Sequence, residues 1–164
     1  MKMMHFRHLG SDLPASTRVG GFTLIELMVT ITIVGILLAI GVPSFRGFVA
    51  GQRVKTASYD ISSVLTYARS EALKRNADVV ITPNTGGWQN GWSVAAGTST
   101  LSQHDAFSGL TITGPASNAT YASSGRLKAA VTGFNISASG TTSIPSRCVS
   151  VSLSGVPSSS KGEC

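Results

Sequence analysis

Hydrophobic positions divide the chain into three consecutive patterns, and the first is an unbroken apolar run. The 21 residues from Phe22 to Val42 carry a single charge, on Glu26. A helix of this length, at about 1.5 Å per residue, is long enough to cross the hydrocarbon core of a bilayer. A carboxylate at that depth costs about 2.5–3.5 kcal/mol even on lenient insertion scales, so Glu26 indicates a specific partner.

The second pattern begins after Pro43 and is one-sided. Apolar residues recur at steps of three and four, as in a helix that lies on a core: Val54, Ala57, Ile61, Val64, Leu65, Ala68 and Ala72. We expect one helix from Phe22 to about Asn76, with a kink at Pro43 because proline removes a helix hydrogen bond. Gly35 and Gly41 fit either close helix approach in a filament or the tolerance of membrane helices for glycine.

The third pattern, from residue 78 onward, predicts an antiparallel sheet. Short apolar or alternating segments are separated by Gly, Pro, Asn and Ser: DVVITP, GWSVAA, GLTITG, TYASSGRLKA, TGFNISAS and RCVSVSLSG. Asn90-Gly91 predicts a tight hairpin turn, and Trp88 and Trp92 beside it are expected to pack in the core rather than form a ligand platform. Helix followed by strands gives an α+β fold.

Charge adds little to this picture. The net charge is +6, but from Val79 onward four basic residues stand against only two acidic ones. The basic residues of the second helical part are interspersed with acids, and Glu71 and Arg75 have the favourable four-residue spacing. We therefore predict a solvated, partly paired face rather than a nucleic-acid surface, with Arg46 and Arg53 also placed to contact anionic lipid headgroups.

The two cysteines, Cys148 and Cys164, lie close to the C-terminal end of the sequence. If this part is exported, they are expected to form a disulfide, worth about 3 kcal/mol in the chain-entropy model. A metal site would need further ligands, and His104 is the only histidine after residue 21. We predict no metal site.

The sequence contains no recognisable catalytic constellation. His104 stands beside Asp105 in a segment expected to be a polar loop, and no strained nucleophile turn is apparent. NTGGWQNG lacks the Lys-Ser/Thr pair and helix start of a phosphate-binding loop. We therefore predict a protein that is not an enzyme, without catalytic residues or cofactor.

The apolar run has two interpretations. One is an ordinary secretory signal peptide, with AIG as the cut site and a basic region formed by Lys2, Arg7 and Arg18. Its length and its early acidic residue oppose this. The other is that the segment resembles the N-terminus of type IV pilins and pseudopilins, which combine a basic leader ending at Gly21, then Phe22, an acid at Glu26, an apolar stretch and Pro43.

This resemblance implies a processing pathway. Residues 1–21 would be a prepilin leader, cut by prepilin peptidase between Gly21 and Phe22, with N-methylation of the new Phe22 amine. The retained helix, residues 22–42, would anchor the precursor and later join the core of a fibre. Glu26 would then pair with the amine of a neighbouring subunit, so a costly buried charge becomes a signal for register.

The second half of the chain resembles GspH/FimT-type minor pilins and pseudopilins. The cues are GW-QNGWSV, GFNISASG and RCVSVSLSG followed by the last cysteine. The resemblance implies the pilin fold, with an amphipathic helix over residues 43–77 and a periplasmic β-rich domain over 78–164. Some FimT-like proteins take up DNA through a Gly-Arg-x-Arg motif between the cysteines, but here Val156 and Ser158 stand in place of the arginines and DNA binding is unlikely.

The implied function is that of a minor pilin which helps to prime assembly of a type IV pilus, near its tip. The expected partners are prepilin peptidase, other minor and major pilins, the inner-membrane assembly platform and, before assembly, membrane lipid. The expected location is the inner membrane, single-pass with the C-terminal domain in the periplasm, and then the fibre. The alternatives are a GspH-like pseudopilin of a type II secretion system and a DNA-binding minor pilin of natural transformation.

Overall fold

The computed structural model describes residues 21–164, with the side chain of Pro43 left out, so the predicted leader lies outside the described residues except for Gly21. The described chain forms two compact units, residues 21–40 and residues 41–164. Helix α1 (Leu24–Arg75, 52 residues) contributes residues to both units. Helical residues run through Pro43 without a break, and a kink there stays a prediction.

Helix α1 ends at Arg75, one residue before the predicted end, in a hydrogen-bonded cap. Asn76 adopts a left-handed backbone conformation, with φ of 51°. The N–H of Asn76 donates to the carbonyl of Leu73 (3.4 Å) and the N–H of Ala77 to that of Ala72 (3.3 Å). These two bonds form a Schellman motif, which satisfies carbonyls that the end of a helix would otherwise leave free.

Eight strands form two antiparallel sheets. The first sheet has the order β3-β2-β1-β5 and the second β4-β6-β7-β8. The strands are β1 (Val79–Pro83), β2 (Trp92–Ala96), β3 (Ser99–His104), β4 (Leu110–Thr113), β5 (Ala119–Tyr121), β6 (Phe134–Ala138), β7 (Arg147–Val151) and β8 (Pro157–Lys161). The α+β architecture predicted from the hydrophobic pattern is therefore confirmed.

The core of residues 41–164 forms between α1 and the two sheets. Of the predicted helix stripe, all members are buried except Val64, which is half-buried against the same core. Trp88 and Trp92 are both buried, as predicted, and the Trp88 indole N–H donates to the Pro115 carbonyl at 2.8 Å. Burial raises the pKa of Tyr121 to about 12, and its hydroxyl donates to the Gly155 carbonyl at 3.3 Å.

Three strand predictions need correction. The polar strands β3 and β8 are absent from the sequence prediction because their sequences, STLSQH and PSSSK, lack apolar alternation. In the segment TYASSGRLKA only the start is a strand, and a turn follows.

The predicted tight turn at Asn90-Gly91 is also wrong. Residues 84–91 form a longer connection between β1 and β2, with a 3₁₀ turn at Trp88–Asn90. Gly91 has φ of 87°, and a side chain there would collide with the backbone of His104 and Asp105. The glycine is therefore needed for close backbone approach and not for a two-residue hairpin.

The cap at Asn76 gives a stability prediction. A non-glycine residue without a polar side chain in the left-handed region costs about 1–2 kcal/mol, whereas glycine carries no such penalty. We expect Asn76→Ala to lower the free energy of unfolding by about 1 kcal/mol and Asn76→Gly to leave it equal or higher. Denaturant unfolding of the two variants provides the measurement, and equal loss in both would remove the cap from the explanation.

Candidate assembly surface

The first part of α1 is apolar on every side. Between Phe22 and Val42 the large apolar side chains are all exposed, from 45% at Val42 to 80% at Phe22. Over the described residues, α1 is the one helix whose length and composition would suffice for a membrane span, with a mean hydropathy of 2.5 in its most apolar window. A helix that is hydrophobic all round is stable only when lipid or other protein covers it.

Thr23 explains where this helix begins. It precedes Leu24, the first residue of α1, and its hydroxyl oxygen accepts a hydrogen bond from the backbone N–H of Glu26 at 3.2 Å. Its carbonyl accepts from the N–H of Leu27 at 3.1 Å. Thr23 is therefore the N-cap residue, and Thr-x-x-Glu is the sequence signature of a capping box. The helix start predicted from the apolar pattern, at Phe22, did not take this signal into account.

Glu26 lies in the first turn of the helix, where a negative charge is favoured by the helix dipole. Its side chain is exposed, and it takes part in none of the ion pairs found within residues 21–164. It is also the only acidic residue between Phe22 and Tyr59. The carboxylate is thus a single charge on an apolar surface, with local help from the helix terminus and no cationic partner in the described chain.

Gly21 and Phe22 precede α1 and are exposed. A side chain at Gly21 would meet nothing within 4 Å. The peptide bond between these two residues is therefore not covered by other parts of the described chain. Cleavage there would create a free amine four residues before Glu26, at the start of the apolar helix.

His104 does not lie in a polar loop as predicted but is the last residue of β3. Its half-buried ring stacks on Trp92 at 4.4 Å and on Phe107 at 4.5 Å between centroids. Its Nδ1 lies 2.7 Å from the carbonyl oxygen of Asp105 and must donate to it, so Nε2 faces the Asp60 carboxylate at 3.9 Å. The ring therefore belongs to a cluster with Trp92 and Phe107, whose own centroids are 5.5 Å apart, and this packing explains the residue structurally.

The C-terminal disulfide ties the segment that follows β8 to strand β7 of the second sheet. Cys148, on β7, and Cys164 are joined with their Cα atoms 4.9 Å apart. Gly133 lies directly beneath, because a Cβ at that position would come within 2.6 Å of the Cys164 sulfur. The bond and the glycine together hold the end of the chain against the sheet.

The charged face of α1 is partly paired, as predicted. Arg75 Nε lies 2.6 Å from the Glu71 carboxylate, and Lys74 Nζ lies 3.4 Å from it. The Arg75 hydrogen bond lowers the pKa of Glu71, while burial opposes the shift. Asp78 pairs with Lys128 near the same end of the helix. Charge at this end of α1 is consequently engaged within the chain, whereas Arg46, Arg53, Lys55 and Arg69 take part in none of the ion pairs among residues 21–164.

Comparison with known protein families gives two matches, one in the N-terminal part of the chain and one over most of the remainder. The family model described as Type II transport protein GspH matches residues 57–155, and that of the prokaryotic N-terminal methylation motif matches residues 16–42. The first of these spans more than half of the chain. The chain belongs to the GspH family of type IV pilin-like proteins.

Individual relatives include fimbrial and pilin proteins. A fimbrial protein of Pseudomonas aeruginosa is 43% identical over 54 residues, 33% of this chain and 35% of that protein. A type IV major alpha-pilin of Moraxella bovis is 28% identical over 60% of this chain and 62% of its own length. The matched part thus spans about a third of the fimbrial protein and under two thirds of the alpha-pilin.

Two kinds of solved structure share the fold. The type IV minor pilin FimU of Pseudomonas aeruginosa has a TM-score of 0.58 and 25% identity, covering 65% of this chain and 87% of FimU. The minor pseudopilin EpsH of the Vibrio cholerae type 2 secretion system has a TM-score of 0.51 and 17% identity, covering 66% and 97%. The α+β architecture of this GspH-family chain is therefore the pilin fold, which is structural and not enzymatic.

The disulfide gives a second stability prediction. Reduction should lower the free energy of unfolding by about 3 kcal/mol, because the bond closes a loop of 16 residues. Denaturant unfolding with and without dithiothreitol measures the loss. A Cys148→Ala/Cys164→Ala variant is the control and should not respond to the reductant; an equal response in both proteins would contradict the assignment.

Proposed function

We propose that this chain is a minor pilin that enters a type IV pilus and helps to prime its assembly, at or near the tip. The observation that carries the proposal is the exposed apolar surface of residues 22–42, together with a buried core in residues 41–164 that begins only at Val54. The domain has no need of this surface for its own core. The surface is therefore available first to membrane lipid and then to the helices of other pilins.

Processing is the first step of the proposed mechanism. Prepilin peptidase removes residues 1–21 and methylates the amine of Phe22; the match of the methylation motif to residues 16–42 supports this. Before assembly the helix holds the protein in the inner membrane with the strand domain in the periplasm. The membrane assembly platform then transfers it into the fibre, where helix 22–42 packs among other minor and major pilins.

Glu26 sets the register of this packing in the proposed mechanism. In lipid its carboxylate is exposed to an apolar solvent, which is costly. In the fibre it meets the Phe22 amine of a neighbouring subunit and forms a charge-assisted hydrogen bond. Apolar packing alone permits several registers of the helix, but only one register pairs the Glu26 carboxylate with the amine. Pro43 is proposed to give the helix the local flexibility that packing requires.

The alternative is a minor pseudopilin of a type II secretion system. The description of the matching family model, Type II transport protein GspH, favours it. The greater likeness in sequence to the pilus protein FimU favours the pilus. DNA uptake has less support, because Lys161 is the only basic residue between the two cysteines.

A gene deletion separates the two main candidates. We expect loss of surface pili and of twitching motility, with type II secretion unchanged, because the fibre lacks a subunit that primes it. Electron microscopy, a twitching assay and an assay of secreted protein provide the measurements. Defective secretion with normal pili would establish the pseudopilin instead, and expression of the wild-type chain in trans must restore whichever function is lost.

A paired substitution tests the role of Glu26. We expect Glu26→Ala and Glu26→Gln to reduce incorporation into sheared fibres by about tenfold or more, equivalent to at least about 1.4 kcal/mol of lost packing energy. Thr23→Val removes the cap, at a cost of about 1 kcal/mol to the helix, but keeps the charge. It should be incorporated nearly normally.

Immunoblots of sheared fibres and of membranes give the incorporated fraction, and mass spectrometry of the mature N-terminus verifies that every variant is cleaved and methylated. Normal incorporation of Glu26→Ala would refute the electrostatic register. Equal losses in the Thr23 and Glu26 variants would instead assign Glu26 to helix capping.

A further inference from the structure

A small cavity in the unit formed by residues 41–164 is lined by three cations. It has a volume of about 180 Å³. Lys55 comes from α1, Arg147 from β7 and Lys161 from β8, and the remaining wall is formed by Gly51, Val54, Ile144, Pro145 and Ser146. The three basic residues come from distant parts of the sequence, so only the fold brings them together.

The strand register places two of these cations directly opposite each other. Arg147 and Lys161 are cross-strand partners in the β7–β8 pair. The N–H of Gly162 donates to the carbonyl of Ser146 at 2.8 Å, immediately beyond them. Arg147 and Lys161 therefore form a non-hydrogen-bonded pair, the kind in which opposite side chains lie closer together. Like charges at such positions destabilise a sheet.

Carboxylates do not relieve this repulsion within the described chain. None of the ion pairs among residues 21–164 includes Lys55, Arg147 or Lys161. Arg147 is half-buried, and its Nη1 reaches only the hydroxyl of Ser159, at 3.5 Å. Glu163 borders a separate cavity and does not line this one. Within residues 21–164, therefore, no carboxylate pairs with the positive charge at the cavity, although Lys55 Nζ lies 5.9 Å from the centroid of the Tyr59 ring.

Arg147 is the least exposed of the three cations, because Lys55 and Lys161 are both exposed whereas Arg147 is half-buried. Alternate residues of a strand share a face, so Arg147 lies on the same face of β7 as Val149, which is fully buried in the core. The cavity is where this inner face meets α1. A half-buried cation beside two exposed ones, without an acidic partner in the described chain, is electrostatically suited to an anion.

We propose that this cavity binds a phosphate group, held by Lys55, Arg147 and Lys161. The arginine guanidinium offers two parallel donors to phosphate oxygens, and the two lysines add point charges. The cavity suits a single oxyanion rather than a polymer, which requires a groove that follows its backbone. Inorganic phosphate and the phosphate of a lipid headgroup share this chemistry and are the two sources to be distinguished.

Thermal unfolding of the full chain in maltoside detergent tests the site. Potassium phosphate in the low millimolar range should raise the Tm by about 3 °C over potassium chloride at equal ionic strength. Arg147→Gln and Lys161→Gln should each abolish that shift. Without phosphate, the same variants should be more stable than wild type by about 1–3 °C, since they remove the like-charge pair.

Arg126→Gln is the matched control, because Arg126 is an exposed cation of the same unit that does not line the cavity. It should keep the full phosphate shift. Phosphate also stabilises proteins generally by exclusion from their surface, and that effect should be equal in all variants. An undiminished shift in Arg147→Gln, or none in wild type, would overturn the proposal.

The two sources are separated with a short-chain lipid. Dioctanoyl phosphatidylglycerol that reproduces the shift at a tenfold lower concentration than inorganic phosphate, with dioctanoylglycerol inactive, would identify the headgroup as the source. No such advantage would identify free phosphate. A DNA duplex that raises the Tm while both phosphate probes leave it unchanged would replace the proposed site by a nucleic-acid surface.

Discussion

The covering of an apolar helix is the constraint on which this protein depends. Between Phe22 and Val42 every large apolar side chain is at least 45% exposed in the isolated chain. Water is therefore a poor environment for this segment, since apolar area costs about 25 cal/mol per Å² to expose. Lipid and a bundle of similar helices are nearly equivalent solvents for it. A surface of this kind suits a subunit that moves from a membrane into a fibre, as we propose.

Residues 41–164 have a hydrophobic core of their own, which does not include the apolar surface of residues 22–42. Their core begins at Val54 and uses small residues on α1, such as Ala57 and Ala68, to bring the helix close to two sheets. A Schellman cap ends the helix, and a disulfide holds the segment after the last strand to β7. A GspH-family protein can thus keep one folded domain while the environment of its apolar segment changes.

Glu26 shows how local and intermolecular physics can act on one residue. Its backbone N–H is bound by the Thr23 hydroxyl, and its charge lies in the first turn, where the helix dipole lowers the cost of an acid. Both effects are present in the single chain. Neither the cap nor the helix dipole supplies a cation for the carboxylate. In the proposed fibre contact, the Phe22 amine of a neighbouring subunit supplies it. The cap thus makes the carboxylate tolerable before assembly without removing the advantage of pairing it.

The sequence by itself determined the features that depend on local periodicity: the apolar run, the stripe from Val54 to Ala72, and the α+β order. It failed for β3 and β8, whose polar residues become strands only because β2 and β7 offer backbone partners. It placed His104 in a loop, whereas stacking on Trp92 and Phe107 fixes it at a strand end. The convergence of Lys55, Arg147 and Lys161 was likewise decided by tertiary structure: strand register pairs Arg147 with Lys161, and helix packing adds Lys55 from about a hundred positions away, a distance that no local pattern encodes.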